Sequence, residues 1–180
     1  MMKTTTILVL ALASTPAFAG GQEDSLGVGA EYMMNGLSGG ASVNYDLGKM
    51  HFGGFLGFFD NGDEMGNDTT DYTLGGRFYY HVHSTAMSDF GIGGSLGFYS
   101  DEQRNGAGDT DRNTYLYIEP GIQIRAFVAA NVALSFGVGI VFAAQDDDGL
   151  AIGGGNIGRG RDQGIGESVT GSAGIHYYFF

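Results

Sequence analysis

The sequence predicts an all-β fold, an eight-stranded antiparallel up-and-down transmembrane β-barrel with short periplasmic turns and longer extracellular loops. Three observations lead to this prediction. Eight segments alternate between apolar residues and small or polar ones, each about as long as a tilted strand that crosses a bilayer. The connections between the segments are alternately short and mostly long. After residue 19, no apolar stretch reaches the length of about 18 residues that marks a spanning helix.

The first four segments each have one face of aliphatic or aromatic residues and one face of mostly small or polar residues. Larger side chains also occur on the polar face. They are Glu31 in the first segment, His51 and Phe55 in the third, and Arg77, Tyr79 and His81 in the fourth. Since strand side chains point to opposite faces in turn, each segment has one face suited to lipid and one suited to a packed interior. These segments span residues 25–32, 37–45, 50–58 and 72–82.

The last four segments continue the alternation. The fifth has glycine and serine on its polar face, whereas the sixth has Glu119 and Arg125 there, and the seventh alternates almost without exception. Pro120 cannot donate to a strand ladder, so we expect Pro120 and Gly121 to mark a β-bulge in the sixth segment. These segments span residues 90–99, 115–125, 132–143 and 169–179.

The alternation does not by itself show which face is inside the barrel. In a soluble, lipocalin-like barrel, the apolar set would lie inside and the set with Glu119 and Arg125 would lie outside. Lys49 is the only lysine after residue 19, although a soluble barrel normally carries lysine on its outer face. The aromatic residues at the C-terminus also favour the membrane arrangement, in which the apolar set faces lipid.

The connections indicate the orientation of the barrel. Three of them are short, at residues 47–49, 84–87 and 128–131, and the others include residues 61–71, 101–113 and 145–168. The remaining connection contains Asn35 and Gly36, a pair typical of a two-residue type I′ hairpin. Short periplasmic turns and longer extracellular loops are the expected asymmetry of an outer-membrane barrel.

The N-terminus has the features of an export signal. Lys3 precedes a short apolar run over residues 7–13. The sequence Ala17-Phe18-Ala19 follows, and its small residues are typical of a cleavage site. We therefore divide the chain into a signal peptide, residues 1–19, and an outer-membrane barrel domain, residues 20–180. The chain contains no cysteine, which excludes disulfides and a lipoprotein anchor.

These features together resemble the small OmpA/OmpX/Ail family of outer-membrane barrels. The chain shares with it a signal peptide, eight alternating strands, polar loops and an aromatic C-terminus, Tyr177-Tyr178-Phe179-Phe180. The resemblance implies location in the outer membrane of a Gram-negative cell and insertion by the barrel-assembly machinery, which in this family recognises a C-terminal strand ending in Phe. Here Phe179 is in phase with the apolar face of the last strand, whereas Phe180 is in phase with the opposite face.

The polar phases of the strands predict a charged lumen. An eight-stranded barrel is just wide enough for side chains to fill its interior. Four charged residues have the inward phase, and we expect them to form one compensated network, because a buried charge without a partner is costly. They are Glu31, Arg77, Glu119 and Arg125. The inward glycines should leave room for tyrosines to lie across the lumen.

The loops are acidic and Gly-rich, and the formal net charge of −12 argues against nucleic acid as a partner. The acidic clusters do not match the twelve-residue calcium loop, so we expect a solvated surface, no metal site and no cofactor. Four arginines of the loops are the best candidates for contacts with lipopolysaccharide phosphates. They are Arg104, Arg112, Arg159 and Arg161.

The sequence predicts no catalytic residues. The residues considered for hydrolase chemistry are His81, His83, Ser84, Ser88 and Asp89. His83 and Ser84 are adjacent and point to opposite faces of a strand, and no G-x-S-x-G motif occurs. We therefore expect a non-enzymatic barrel with a structural or surface-interaction role, in contact with outer-membrane lipid and lipopolysaccharide. The alternative is an outer-membrane barrel that modifies lipid A as a hydrolase or acyltransferase. The sequence does not identify a surface ligand.

Overall fold

The computed structural model describes residues 23–33, 40–60, 62, 70–104, 110–145, 149–152 and 169–179. These residues form ten β-strands: β1 (Leu26–Met33), β2 (Gly40–Asp46), β3 (Met50–Asp60), β4 (Thr70–Ser84), β5 (Ser88–Arg104), β6 (Thr110–Ala129), β7 (Val132–Ile140), β8 (Phe142–Gln145), β9 (Gly149–Ile152) and β10 (Val169–Phe179). Within the described ranges, no helix has the length and hydropathy required to cross a bilayer.

The strands close into an eight-stranded antiparallel barrel, which confirms the all-β, up-and-down architecture. The pairing runs in the order β5-β4-β3-β2-β1-β10-β7-β6, and the pairing of β5 with β6 closes the ring. β7 and β8 together act as one of the eight barrel strands, because both pair with β6 in the same register. This strand is interrupted at Val141. The remaining strand, β9, pairs with β8 beyond the end of β10.

The prediction of a β-bulge at Pro120 and Gly121 is wrong. The ladder between β5 and β6 passes Pro120 and Gly121 without a change of register. On the other side, β6 pairs with β8 at Ile118 and with β7 from Gly121, so the ladder is interrupted opposite Pro120. The interruption has a simple cause, because proline has no backbone N–H to donate. The seventh barrel position divides here into β7 and β8.

Two predicted loops contain strand. β5 continues to Arg104 and β6 begins at Thr110, so most of the segment predicted as a loop at residues 101–113 belongs to this hairpin. β9 likewise lies inside the segment predicted as a loop at residues 145–168. In the extended hairpin, residues on both faces are polar, so the apolar alternation that marks a strand in lipid is absent.

One end of the barrel, here called the turn end, carries the short connections Leu47–Lys49, Thr85–Met87 and Ala130–Asn131, as predicted. Leu47 N–H donates to the carbonyl of Met50 at 2.8 Å, which closes the first turn. Gly48 has a φ of +69° in this turn, a backbone conformation that glycine adopts without steric cost. The opposite end, which carries the other connections, is called the loop end.

The predicted inward and outward faces are confirmed for the described side chains. On β7, Phe136 and Val138 are each 51% exposed, whereas Ser135 is 4% exposed and lines the lumen. On β6, Arg125 is 1% exposed, while Ile124 beside it is outside. The arrangement expected for a lipocalin-like barrel, with the apolar set inside, is therefore wrong. An inward apolar phase would have required Glu119 and Arg125 to lie on the outer surface.

The lumen is filled by side chains. Phe55, Tyr99, Tyr115, Tyr117, Val141 and Ala143 form one cluster of buried apolar side chains, and Phe127, Ala133 and Tyr178 form a second at the turn end. Inward glycines make room for the tyrosines, as predicted. A Cβ atom at Gly97, for example, would lie 2.9 Å from the Tyr117 hydroxyl. The barrel interior is therefore a packed core.

Several sequence predictions concern residues outside the described ranges. They are the signal peptide at residues 1–19, the Asn35-Gly36 turn, Phe180, Arg159, Arg161 and most residues of the acidic loops.

Candidate functional site: the polar lumen

The described lumen contains two groups of ion-paired side chains at different heights. One is the pair of Glu31, towards the end of β1, and Arg77, at the middle of β4. The other, here called the Arg125 cluster, consists of Asp46, His51, His81, Asp89 and Arg125 and lies near the turn end. The strands β2 to β6 supply one residue each to this cluster.

Glu31 and Arg77 form a buried ion pair across the lumen. Arg77 Nη1 donates to Glu31 Oε1 at 2.6 Å, Arg77 Nη2 contacts Glu31 Oε2, and both side chains are 3% exposed. The guanidinium also lies over the Phe55 ring, with its central carbon 4.8 Å from the ring centroid. His176 Nε2 lies 3.4 Å from Glu31 Oε1 and 2.7 Å from the Ser42 hydroxyl, so a polar chain links β1, β2, β4 and β10.

Arg125 is the centre of the second group. Its Nη1 donates to Asp46 Oδ2 at 2.9 Å and its Nη2 lies 2.8 Å from Asp46 Oδ1, an arrangement in which two nitrogens face two oxygens. Nη2 also donates to Asp89 Oδ2 at 2.8 Å, and Nη1 donates to the Tyr178 hydroxyl at 3.0 Å. One guanidinium thus ties together side chains from β2, β5 and β10, which lie around the whole barrel.

Two histidines complete the Arg125 cluster. His81 Nδ1 lies 3.1 Å from the carbonyl oxygen of Gly48, which accepts and cannot donate, so Nδ1 carries the proton and Nε2 has the lone pair. His81 Nε2 accepts from Arg125 Nη2 at 3.2 Å and faces His51 Nδ1 at 2.8 Å. His51 Nδ1 is therefore the donor in the contact between the two rings. The His51 ring also stacks on Tyr79, at a centroid distance of 5.4 Å.

Glu119 does not join the arginines in the way that the sequence prediction of one four-residue network requires. Among the described residues it has no ion pair, and it accepts a hydrogen bond from the Thr170 hydroxyl. Its side chain packs over Gly139, where an added Cβ would lie 2.6 Å from Glu119 Cγ. The predicted set therefore separates into Glu31 with Arg77, Arg125 with other partners, and Glu119.

Sequence reasoning missed Asp46 and Asp89 as the partners of Arg125. Both carboxylates are 1% exposed or less, and both lie at a strand end beside a short turn. Their phase was a usable signal, because Asp46 continues the inward set that contains Asn44, and Asp89 precedes the inward Gly91 by two residues. At a strand terminus, however, an aspartate is also a common turn residue.

The four loop arginines predicted to contact lipopolysaccharide lie in different settings. Arg104 is the last residue of β5, and Arg112 is in β6, so neither belongs to a loop. The Arg112 side chain is 40% exposed and its Nη2 lies 3.3 Å from Glu102 Oε2. Its guanidinium lies 5.3 Å from the ring centroid of Tyr72, on the outer wall near the loop end. Arg159 and Arg161 are outside the described residues.

The residues considered for hydrolase chemistry do not assemble. His83 and Ser84 are exposed at the turn end, and Ser88 bonds with the Thr85 hydroxyl at 2.9 Å. Asp89, the nearest acid in sequence, is buried against Arg125. Within the described part of the chain, none of these serines bonds to a histidine. A nucleophilic serine needs a base within hydrogen-bond reach.

Similarity to known proteins does not identify the family. No protein-family model matches this chain, and no curated protein matches it. The chain is thus assigned by its architecture alone, as a closed eight-stranded antiparallel β-barrel with an apolar outer wall and a polar, ion-paired lumen.

Proposed function

We propose that this chain is a non-enzymatic outer-membrane β-barrel with a structural or surface-interaction role. The observation that carries the proposal is that the closed barrel has apolar side chains on its outside and polar, charged side chains in its interior. Every strand that spans the barrel has large apolar side chains exposed on its outer face, and some of them, such as Leu56, Leu96 and Phe136, are more than half exposed. A soluble monomer rarely leaves so large a continuous apolar surface in water, whereas a barrel in lipid requires one.

The proposal includes the family resemblance and the orientation in the membrane. The short connections of the turn end face the periplasm, and the loop end with the extended β5–β6 hairpin faces outwards. An OmpA/OmpX/Ail-like barrel would be inserted by the barrel-assembly machinery. The exposed aromatic pair Tyr177 and Phe179 on β10, whose ring centroids are 5.0 Å apart, supports this proposal because aromatic residues form girdles at membrane interfaces.

The loop end is the proposed surface for interactions. Arg112 keeps part of its guanidinium exposed beside Tyr72 and Glu102, at the height where the outer wall ends. An arginine there can donate to a lipopolysaccharide phosphate, and the apolar wall below it can pack against acyl chains. Arg104, Arg159 and Arg161 remain proposed contacts of the same kind.

The proposal is tested by fractionation and gel mobility. Expressed in a Gram-negative host, the protein should fractionate with the outer membrane and should migrate differently on SDS gels before and after boiling. A closed barrel resists SDS until it is heated, because its strands have no free edges. Recovery as a soluble periplasmic protein without a heat shift would contradict the membrane assignment.

Replacement of a wall residue tests the lipid-facing assignment directly. We expect Val138→Arg to destabilise the barrel in a phospholipid bilayer by about 2–4 kcal/mol, because Val138 lies at mid-strand on the outer wall. The matched control is Val128→Arg at the turn end, where the same change should cost about 0–1 kcal/mol. Free energies of unfolding in urea provide the measurement. Equal costs at the two positions would contradict a lipid-facing wall at Val138.

The packed lumen predicts poor ion conduction. Tyr117 and Tyr178 are each 1% exposed, and Arg77 and Arg125 are held in buried ion pairs, so large side chains occupy the described interior. We expect planar bilayers that contain the purified barrel to show no stable, large open-channel current. The appearance of such currents would be evidence against the plugged interior and in favour of a wider or oligomeric pore.

A further inference from the structure

We propose that Asp46, His51 and His81 bind a divalent first-row transition-metal ion at the turn end of the lumen, with Zn²⁺ as the reference ion. The site is additional to the proposed role of the barrel, and neither claim depends on the other. One donor atom from each residue can be chosen so that all three lie within 4.8 Å of one another, and all three side chains are buried.

The donor set selects the class of metal. Two imidazole nitrogens and one carboxylate oxygen suit Zn²⁺, Cu²⁺, Ni²⁺ and Co²⁺. Ca²⁺ and Mg²⁺ prefer shells made of oxygen atoms, so they should not compete at this site. The distances also fit a tetrahedral ion, whose ligand atoms are about 3.3 Å apart at bond lengths near 2.0 Å. If His51 binds through Nδ1, its proton moves from Nδ1 to Nε2, and the 2.8 Å contact between His51 Nδ1 and His81 Nε2 opens by about half an ångström to reach that spacing.

The orientation of His81 is that of a metal ligand. Metal-bound histidines typically donate their second N–H to a backbone carbonyl or a carboxylate, which fixes the tautomer and directs the free lone pair at the metal. His81 Nδ1 makes this contact with the Gly48 carbonyl, and its Nε2 lone pair points into the cluster, where a metal would replace Arg125 Nη2 and the His51 Nδ1 proton as its partners. The backbone N–H of His81 also donates to the Lys49 carbonyl at 2.8 Å. The turn thus holds His81 in position from two sides.

The charge of the Arg125 cluster and its buried polar atoms without hydrogen-bond partners both favour a bound cation. The Arg125 cluster has two buried carboxylates, Asp46 and Asp89, and one guanidinium. Buried charge without compensation is costly, so a further positive group is favoured there. His51 is 1% exposed and its Nε2 atom has no hydrogen-bond partner among the described residues, and neither has Asp46 Oδ1 beyond its ion pair. These unpartnered atoms belong to the side chains that would ligate the metal.

Arg125 competes for Asp46 without excluding the metal. If Asp46 turns towards the ion, Arg125 retains Asp89 at 2.8 Å and the Tyr178 hydroxyl at 3.0 Å. Asp89 Oδ1 has no hydrogen-bond partner within the described structure and is therefore available to take a second donor from the guanidinium. The arginine stays paired in both states, so metal loading requires a shift of partners and leaves no buried charge isolated.

The experiment uses the refolded barrel without a histidine tag, and Co²⁺ and Zn²⁺ as probes. Metal is supplied in one sample during folding and in another after folding, because the site lies behind the Leu47–Lys49 turn. We expect a visible ligand-field absorption with Co²⁺, displaced by Zn²⁺ and unaffected by Mg²⁺. His51→Gln and His81→Gln should each weaken Zn²⁺ binding by at least about ten-fold.

The chain supplies its own control for surface binding. It has four histidines, and His83 is exposed next to the site, on the same strand as His81. His83→Gln should leave Zn²⁺ affinity and the Co²⁺ absorption unchanged. All variants are first checked for the heat-dependent gel mobility of a folded barrel. Where a variant fails to fold, ¹⁵N-histidine NMR of the unaltered barrel gives the answer, since Zn²⁺ should shift the imidazole signals of His51 and His81 and leave those of His83 and His176.

Two results would overturn the proposal. One is a folded barrel whose Co²⁺ absorption and histidine signals do not respond to metal, whichever way the metal is supplied. The other is binding that is lost in His83→Gln and kept in His51→Gln and His81→Gln, which would show an adventitious surface site.

Discussion

Arg125→Met should destabilise the barrel by about 3–5 kcal/mol, one of the two largest losses that we expect from a single substitution. The change removes the guanidinium that contacts both Asp46 and Asp89 and leaves two buried carboxylates without their cation. Methionine keeps the aliphatic part of the side chain and removes the guanidinium, including its contact with the Phe127 ring, so the loss reports mainly on the charged group. The free energy of unfolding in urea, in lipid or detergent, is the measurement.

The matched control is Arg112→Met, on the same strand. Arg112 forms an ion pair with Glu102 in which its side chain is 40% exposed, and exposed pairs contribute about 0–1 kcal/mol. Adding Asp46→Asn and Asp89→Asn to Arg125→Met should restore much of the lost stability, since the buried charges are then gone on both sides. Similar losses for Arg125→Met and Arg112→Met would contradict the central role of Arg125.

The strands and their faces could be predicted from the sequence because a barrel wall imposes a rigid period. Each spanning segment alternates between two environments, and a shift of one residue would move every side chain to the wrong face. The segment at residues 132–143 is typical: its inward phase includes Val141, which is fully buried, and its outward phase includes Val138. The eight segments and the division of each into two faces follow from this rule, whereas the choice of the inner face also needed the scarcity of lysine and the aromatic C-terminus.

The rule ends where a strand no longer has an apolar outer face. The upper part of the β5–β6 hairpin has Glu102 and Arg112 as direct ladder partners, and both belong to a polar stretch that reads as a loop. Pro120 shows a second limit. Its missing N–H predicts a defect in the strand ladder but does not distinguish a bulge from an interruption. A bulge and an interrupted ladder remove the same hydrogen bond, and the choice depends on the neighbouring strands.

The ion-pair and hydrogen-bond partners of the inward side chains could not be predicted. The alternation gives the face and the height of each side chain, but not which side chain lies opposite it across the barrel. Glu119 and Arg125 share a strand and a face, yet they bond to residues of other strands, Thr170 for Glu119 and Asp46 for Arg125. Gly139 illustrates the same limit. Its inward phase suggests spare volume, whereas the Glu119 side chain lies over it. Contacts across a closed ring depend on all eight strands at once.

Glu31→Gln should likewise cost about 3–5 kcal/mol, because it leaves Arg77 buried without a negative partner. Gln has nearly the same shape as Glu and can accept from only one of the two Arg77 nitrogens that now face Glu31. His176 cannot supply the missing negative charge, because an imidazole is either neutral or positively charged. Unfolding in urea of both the variant and the parent barrel, under identical lipid conditions, provides the comparison.

Glu119→Gln is the control that separates this account from a single network of four charges. Its carboxylate accepts from the Thr170 hydroxyl, and the amide oxygen of Gln can keep that bond, so the cost should be about 1 kcal/mol or less. Combined with Arg77→Met, Glu31→Gln should show strong coupling and Glu119→Gln much weaker coupling. Equal coupling of Arg77 to the two glutamates would restore the four-residue network. The expected inequality means that Glu31 balances Arg77, and that Glu119 can be changed without unbalancing either arginine.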